Sequence, residues 1–350
     1  MSPFALFFLF CVPASLFAQP AQEETYINCS IPETVRGTRP DPEGTKTPVK
    51  IGSYLIDIKE INDIKQNYTA DVFFNLSWHD PRLSQDSLGG SLEGCVVKLT
   101  DIWSPTVLDV NRGKGDKLFD RVATVDAKGN VNYKQRYFGE ITSDLDFTDF
   151  PFDNQTLHFI LAAYGPDATD IVFEVDNDYT GSRDNFSVEG WSVKLLGAEI
   201  KTEQIATKGS EPHREFARID FQISAERQKP YYIWKVITPL CLIVLMAWAV
   251  FWIDPKHLGP QVGLSTATVF TLIAYRFTLG FNLPKVSYFT RIDSFVLFST
   301  ILVFIALGAA IATSKISSDG GNPLAKKIEK YMRVIYLIAF VSIIVFTLWL

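Results

Sequence analysis

Hydrophobic positions follow two regimes along this chain, and the regimes meet near Lys229. Between Tyr26 and Arg227 apolar and polar residues alternate in short stretches: YTADVFFNLSW at 68–78, GNVNYKQRYF at 129–138, QTLHFILAAY at 155–164 and REFARIDFQISAE at 214–226. A period of two predicts half-buried strands, and the Asp-Pro, Gly-Gly and Lys-Gly-Asn signals between them predict the frequent turns of a β-sandwich. Beyond Lys229 long apolar runs take over. They predict helices at about 231–253, 258–281, 290–313 and 331–350, each long enough to cross a bilayer at ~1.5 Å per residue. The last run, YLIAFVSIIVFTLWL at 336–350, has no polar face, which argues against a helix of a soluble domain.

The predicted fold class is an all-β extracellular or periplasmic sandwich over residues 24–228, followed by an all-α four-helix transmembrane domain over 229–350. Residues 1–18, MSPFALFFLFCVPASLFA, are apolar and end in small residues, the pattern of a cleavable signal peptide that directs the polar domain out of the cytoplasm. In the first helix Lys235 sits near one end, where it can reach the interface. Pro239 is tolerable there because neighbouring helices satisfy the freed carbonyl. The second helix carries Ser265, Thr266, Thr268, Thr271 and Arg276, too polar for a helix surrounded by lipid. Enclosed by the other three, it is the natural lining of a pore. Four crossings put the carboxyl terminus outside and the 314–330 loop in the cytoplasm. The Lys315, Lys326, Lys327 and Lys330 of that loop agree with the positive-inside bias.

Composition changes this picture little, but it narrows the chemistry. There is no nucleotide-binding loop and no nucleophile elbow. His79, His158, His213 and His257 are scattered, so neither a metal site, nor a cofactor, nor a catalytic constellation is expected. The chain is read as a non-enzyme without nucleic-acid partners. In an oxidising compartment Cys29 and Cys95 could pair, while Cys241 lies in an apolar run and reads as a buried thiol.

From Asp146 the chain reads DFTDFPFDNQTLHF, which resembles the signature loop of the pentameric ligand-gated ion channels, the Cys-loop receptor superfamily. Animal members flank that loop with cysteines; Ser143 and Leu157 stand at the matching positions here. Further resemblances occur in order along the chain: WHDPRL at 78–83, WSP at 103–105, GNVNY at 129–133, ERQKPYY at 226–232, FWI at 251–253, VGL at 262–264 and LPKVSY at 283–288. The short loop between the last two helices makes the resemblance closest to prokaryotic-type members.

The resemblance implies a set of roles. Aligned on VGL and LPK, the second helix turns Gly263, Ala267, Phe270, Ala274 and Phe277 to the axis of a homopentameric pore, with Val262, Val269, Leu272 and Ile273 as its core face. Phe270 then forms an apolar ring that stops ions by dewetting. Asp63, Asp153 and Arg227 meet at the junction of the two domains, and Pro284 and Lys285 receive the motion. Agonist is expected between subunits, with Phe73 and Tyr133 from one and Tyr164 with Phe216 or His213 from its neighbour. The matching positions for charge selection, Gly259, Pro260 and Gln261, carry neither the acidic ring nor the Pro-Ala-Arg sequence of better-known relatives. The expected function is a ligand- or proton-gated, cation-conducting channel subunit in the plasma (inner) membrane. Its partners are further copies of itself, a small-molecule agonist or protons, permeating ions and lipid. The alternatives are an anion-selective channel and a membrane-tethered sensor that does not conduct.

Overall fold

The computed structural model of the protein describes residues 31–41, 44–90, 95–205, 214–280, 283–318 and 323–349. The expected signal peptide, Cys29 and His213 lie outside these residues. Cys95 is buried and disulfide-bonded, and Cys241 is a free, half-buried thiol.

The exported half is a two-sheet sandwich. Its longest strands are β1 (Thr47–Asn62) and β2 (Asn67–His79), and between them and the signature loop lie β3 (Val96–Lys98), β4 (Val107–Asp109), β5 (Arg112–Lys117), β6 (Val122–Val125) and β7 (Asn130–Thr142). After the loop come β8 (Asn154–Ala163), β9 (Ile171–Val175), β10 (Gly181–Ser182), β11 (Trp191–Ile205) and β12 (Arg214–Arg227). One sheet runs β10-β1-β2-β7-β6-β3, with β5 on β7 and β9 on β1; the other runs β11-β12-β8-β4. The alternation seen in the sequence is the alternation of burial. Tyr68, Ala70, Val72, Phe74, Leu76 and Trp78 of β2 point inward, as do Leu157, Phe159 and Leu161 of β8 and Ile219, Phe221 and Ile223 of β12. Phe159 joins the sheets, its ring 6.2 Å from Phe74 on one side and 6.2 Å from Phe221 on the other.

Four helices complete the chain: α1 over Lys229–Trp252, α2 over Leu258–Gly280, α3 over Arg291–Ser318 and α4 over Pro323–Ile344. All four are long and apolar enough to span a membrane. Two differ from the expected 290–313 and 331–350. The third runs further at its carboxyl end, and the fourth begins at Pro323, so most of the expected cytoplasmic loop is helical. The reason is amphipathic: Ala325 and Glu329 face the bundle while Lys326, Lys327 and Lys330 face outward, so the basic turn extends the apolar helix without burying its charges.

One close approach in the sandwich has no signal in hydropathy. Where β5 crosses β7, a side chain on Gly139 would come within 2.4 Å of the Gly115 Cα and 2.5 Å of the Lys114 carbonyl. Both obstacles are backbone, which cannot turn aside as a side chain can. Gly139→Ala is expected to part β5 from β7 and destabilise the sandwich by about 1–3 kcal/mol. A melting temperature equal to that of the unsubstituted protein would show that the strands part freely.

Candidate functional site

At the base of the sandwich β12 delivers Arg227 into a site formed by three other segments. The guanidinium is 3% exposed, and each of its five N–H groups has an acceptor. Nε donates to Asp153 Oδ1 at 2.7 Å and a terminal nitrogen donates to Asp153 Oδ2 at 3.1 Å, a two-pronged pair. Asp63, in the turn between β1 and β2, takes two more bonds at 2.8 and 2.9 Å. The fifth goes to Tyr232 Oη at 3.1 Å, in the first turn of α1. Trp191 and Phe150 cover the guanidinium faces at 4.1 and 4.7 Å. Burial by itself works against the charge, but the bonds Arg227 donates to Asp63 and Asp153 outweigh it and raise its pKa above the ordinary value. The residue therefore stays charged at any working pH.

Asp153 is itself held. Gln155 Nε2 donates to Asp153 Oδ2 and to the Asp146 carbonyl, while its Oε1 accepts from the Asp146 amide. The signature loop between them bends through a cis Phe150–Pro151 bond and lies on the helix bundle. There Phe147 N–H donates to Tyr288 Oη at 2.9 Å, and Arg291 Nε donates to Asp149 Oδ1 at 2.7 Å. The amides of Arg291 and Ile292 reach the carbonyls of Thr148 and Phe150, each at 3.2 Å. Asp63, Asp153 and Arg227 thus meet in one cluster, the arrangement that the resemblance implied. Pro284 is half-buried and Lys285 exposed; the bonds to the loop run through Tyr288, Arg291 and Ile292 instead. Sequence reasoning gave no role to these three, nor to Trp191 and Tyr232. Tyr288 and Tyr232 do stand inside the LPKVSY and ERQKPYY strings.

Along α2, at ~100° per residue, Gly263, Ala267, Phe270, Ala274 and Phe277 fall within an arc of about 80°. All five are exposed on this chain, Phe270 at 67% and Phe277 at 70%. The opposite side buries Gln261, Ser265, Thr268, Val269, Leu272 and Leu279 against the other helices. Two expectations are corrected here. Ile273, expected in the core, is 41% exposed. Ser265 and Thr268, whose polarity suggested a pore, face the bundle, where Thr268 Oγ1 donates to the Leu264 carbonyl at 2.9 Å. At the amino end of α2 Gly259 and Pro260 are exposed, while Gln261 turns inward.

The expected ligand residues separate. Across β2 and β7 Phe73 opposes Arg136 while Leu76 opposes Tyr133. Directly opposed residues share a face and side chains alternate, so Phe73 and Tyr133 lie on opposite faces of one sheet. Tyr133 is 9% exposed inside the sandwich, where its Oη accepts from Gln135 Nε2 at 3.1 Å; it is corrected to a core residue. The residues that share the outer face with Phe73 are Asn132, Lys134 and Arg136. Phe73 meets Phe119 edge-on at 6.1 Å, beside a cavity of about 460 Å³ lined in part by Leu118, Phe119, Asn132 and Lys134. Tyr164 is 55% exposed at the end of β8 and Phe216 half-buried on β12, both on the other sheet.

Removing the guanidinium strands two carboxylates, one of them 3% exposed. Breaking such a buried pair costs about 3–5 kcal/mol. Arg227→Ala is expected to lower the melting temperature of the detergent-solubilised protein and to impair its assembly or activation. Arg227→Lys restores charge without the fork and recovers only part. A normal melt and normal activation in Arg227→Ala would remove the junction from the account.

Both halves of the chain match known families. The family described as "Neurotransmitter-gated ion-channel ligand binding domain" matches residues 34–229. The family described as "Neurotransmitter-gated ion-channel transmembrane region" matches residues 236–320. Among similar proteins is a "Proton-gated ion channel" of Gloeobacter violaceus, 26% identical over 294 residues, which cover 83% of this chain and 80% of that protein.

Proposed function

This chain belongs to the neurotransmitter-gated ion-channel family, and from that premise we propose that it conducts cations as a homopentamer gated by protons or a small ligand. The observation that carries the reading is the exposed face of α2. Phe270 and Phe277 are the two bulky side chains on an arc otherwise made of Gly263, Ala267 and Ala274, on the side opposite the buried face, and five copies arranged about an axis would turn them inward. Phe270 would then form an apolar ring near mid-membrane that blocks ions by excluding water rather than by filling the hole. Gly263 leaves the cytoplasmic end wide.

Agonist would act by favouring one of two states of the assembly. In this reading Phe73 and its outer-face neighbours meet Tyr164 and Phe216 of an adjacent copy, since the two groups lie on different sheets of one chain. The Arg227 junction would carry the change to the helices. The named relative makes protons the first stimulus to test. Not every acid can serve as a sensor. Burial would raise Asp57, but hydrogen bonds from Lys59 and Ser187 hold it down at about 2, so it stays ionised through the mildly acidic range. Its contribution to stability is present above the ordinary carboxylate pKa and is lost only as pH falls towards about 2. A gating proton must therefore bind elsewhere.

Charge selection would rest on the field of the whole assembly. Gly259 and Pro260 carry no charge, and Gln261 turns away from the axis. The formal net charge of −6 per chain, repeated five times, enriches cations at the outer vestibule within the ~10 Å over which salt leaves a field intact.

Purified protein in liposomes tests the proposal. Proton-activated current from an assembly of five 39.4 kDa chains, less any signal peptide, supports it; a monomer or dimer as the sole active species, or no current across a pH series and ligand panel, overturns it. Phe270→Ser is expected to admit water and raise the basal current, whereas unchanged basal current and sensitivity would move the barrier to Phe277. Under a salt gradient the reversal potential is expected to shift toward the cation equilibrium potential, and a shift toward chloride would reverse the selectivity.

A further inference from the structure

The cytoplasmic end of α2 is poorly anchored by its own outer side chains. Gly259, Pro260 and Gly263 are exposed, and a side chain at either glycine would meet open space. Between the two glycines Gln261 is fully buried. Its Nε2 donates to the Ile253 carbonyl at the end of α1 at 3.1 Å and to Glu329 Oε1 of α4 at 2.6 Å. Its Oε1 is buried without a hydrogen-bond partner, so the attachment runs through the amide nitrogen alone.

Glu329 is placed against the polarity of its helix. It is 2% exposed while the adjacent Ile328 is 38% exposed, and it lies on the buried stripe that includes Ala325, Tyr336 and Phe340. A carboxyl group facing inward in a membrane bundle is costly unless it is bonded, and such residues mark functional positions. Around it α3 closes the cluster. Thr313 Oγ1 comes within 3.5 Å of Glu329 Oε1, and Ser314 Oγ donates to the Pro255 carbonyl in the α1–α2 turn at 3.2 Å.

We propose that Glu329 and Gln261 are a positioning pair that sets the radial place of the inner end of α2, and so the width of the pore's cytoplasmic mouth. The proposal rests on α2 lining the pore, and it assigns α4, the last helix of the chain, a direct hold on the conduction path. One amide ties α2 to the end of α1 and to α4, and no bulky side chain at Gly259 or Gly263 opposes inward or outward drift. The pair acts on ions through α2 and touches none itself.

The test reads mouth width independently of current. A spin label is placed at Gly259→Cys in a Cys241→Ser background of the full chain, and distances between copies are measured by pulsed electron resonance. Glu329→Leu is expected to shift and broaden the distance distribution, and to change unitary conductance in parallel. Glu329→Gln, which keeps an acceptor for Gln261 Nε2, is expected to restore the distribution. A distribution in Glu329→Leu that matches the labelled parent overturns the proposal. If Glu329→Leu fails to assemble, the double variant Gln261→Leu with Glu329→Leu, which removes both partners of the bond between them, is measured instead. It is expected to show the same shift, and a parental distribution there overturns the proposal equally. An assembly that gives one distance shift but never conducts would count against the channel reading and leave the pair standing.

Discussion

A buried guanidinium has to find an acceptor for every N–H, and Arg227 finds all five in three separate pieces of chain. That requirement organises the molecule. It fixes the β1–β2 turn through Asp63, the signature loop through Asp153 and the head of α1 through Tyr232, all within hydrogen-bonding distance of one side chain at the end of β12. None of the three segments could shift without exposing a charge to an apolar neighbourhood of Trp191 and Phe150. Lysine could not substitute, because an ammonium offers three donors from one atom and cannot present paired bonds to two carboxylates. The sandwich and the bundle are thereby joined by a constraint of geometry as well as by apolar contact.

How far the sequence exposed this depends on the kind of interaction. Strands and spans were legible because burial repeats with a period, and one face of β2 or one run of α4 speaks for itself. The Arg227 triad was legible only through the family strings, since nothing in local spacing brings residues 63, 153 and 227 together. Tyr133 failed for a related reason. A one-residue change of register exchanges the two faces of a strand, and an aromatic residue suits the core of a sandwich as well as a ligand site. Ile273 and Ser265 failed because polarity in a membrane does not report direction. With lipid as apolar as any side chain, small polar residues are as useful between helices as beside water. The Gln261–Glu329 bond had no signal at all, being a pairing across 68 positions.

The second helix shows what those rules produce. Its buried side mixes Gln261, Ser265 and Thr268 with Val269, Leu272 and Leu279; on the exposed side, the arc of Gly263, Ala267 and Ala274 is interrupted by Phe270 and Phe277. An exposed aromatic ring on a narrow, otherwise small-residue face has a physical use where a water column must be broken, and little use against lipid, where any apolar residue would serve.

The tethers also constrain how motion could reach that helix. From the sandwich, Arg227 holds α1 through Tyr232, and the signature loop holds the start of α3 through Arg291 and Ile292. In its upper half α2 is bonded to α1, Tyr275 Oη donating to the Val236 carbonyl at 2.5 Å. At its lower end it is bonded to α1 and α4 through Gln261. Under the proposed reading, a rotation of the sandwich would therefore tilt α1 and α3 first, and α2 would follow because it is fastened to α1 at both ends. A pore helix held in this way responds to the bundle as a unit, so substitutions in α1 and α3 far from the axis should alter gating as strongly as those that face it.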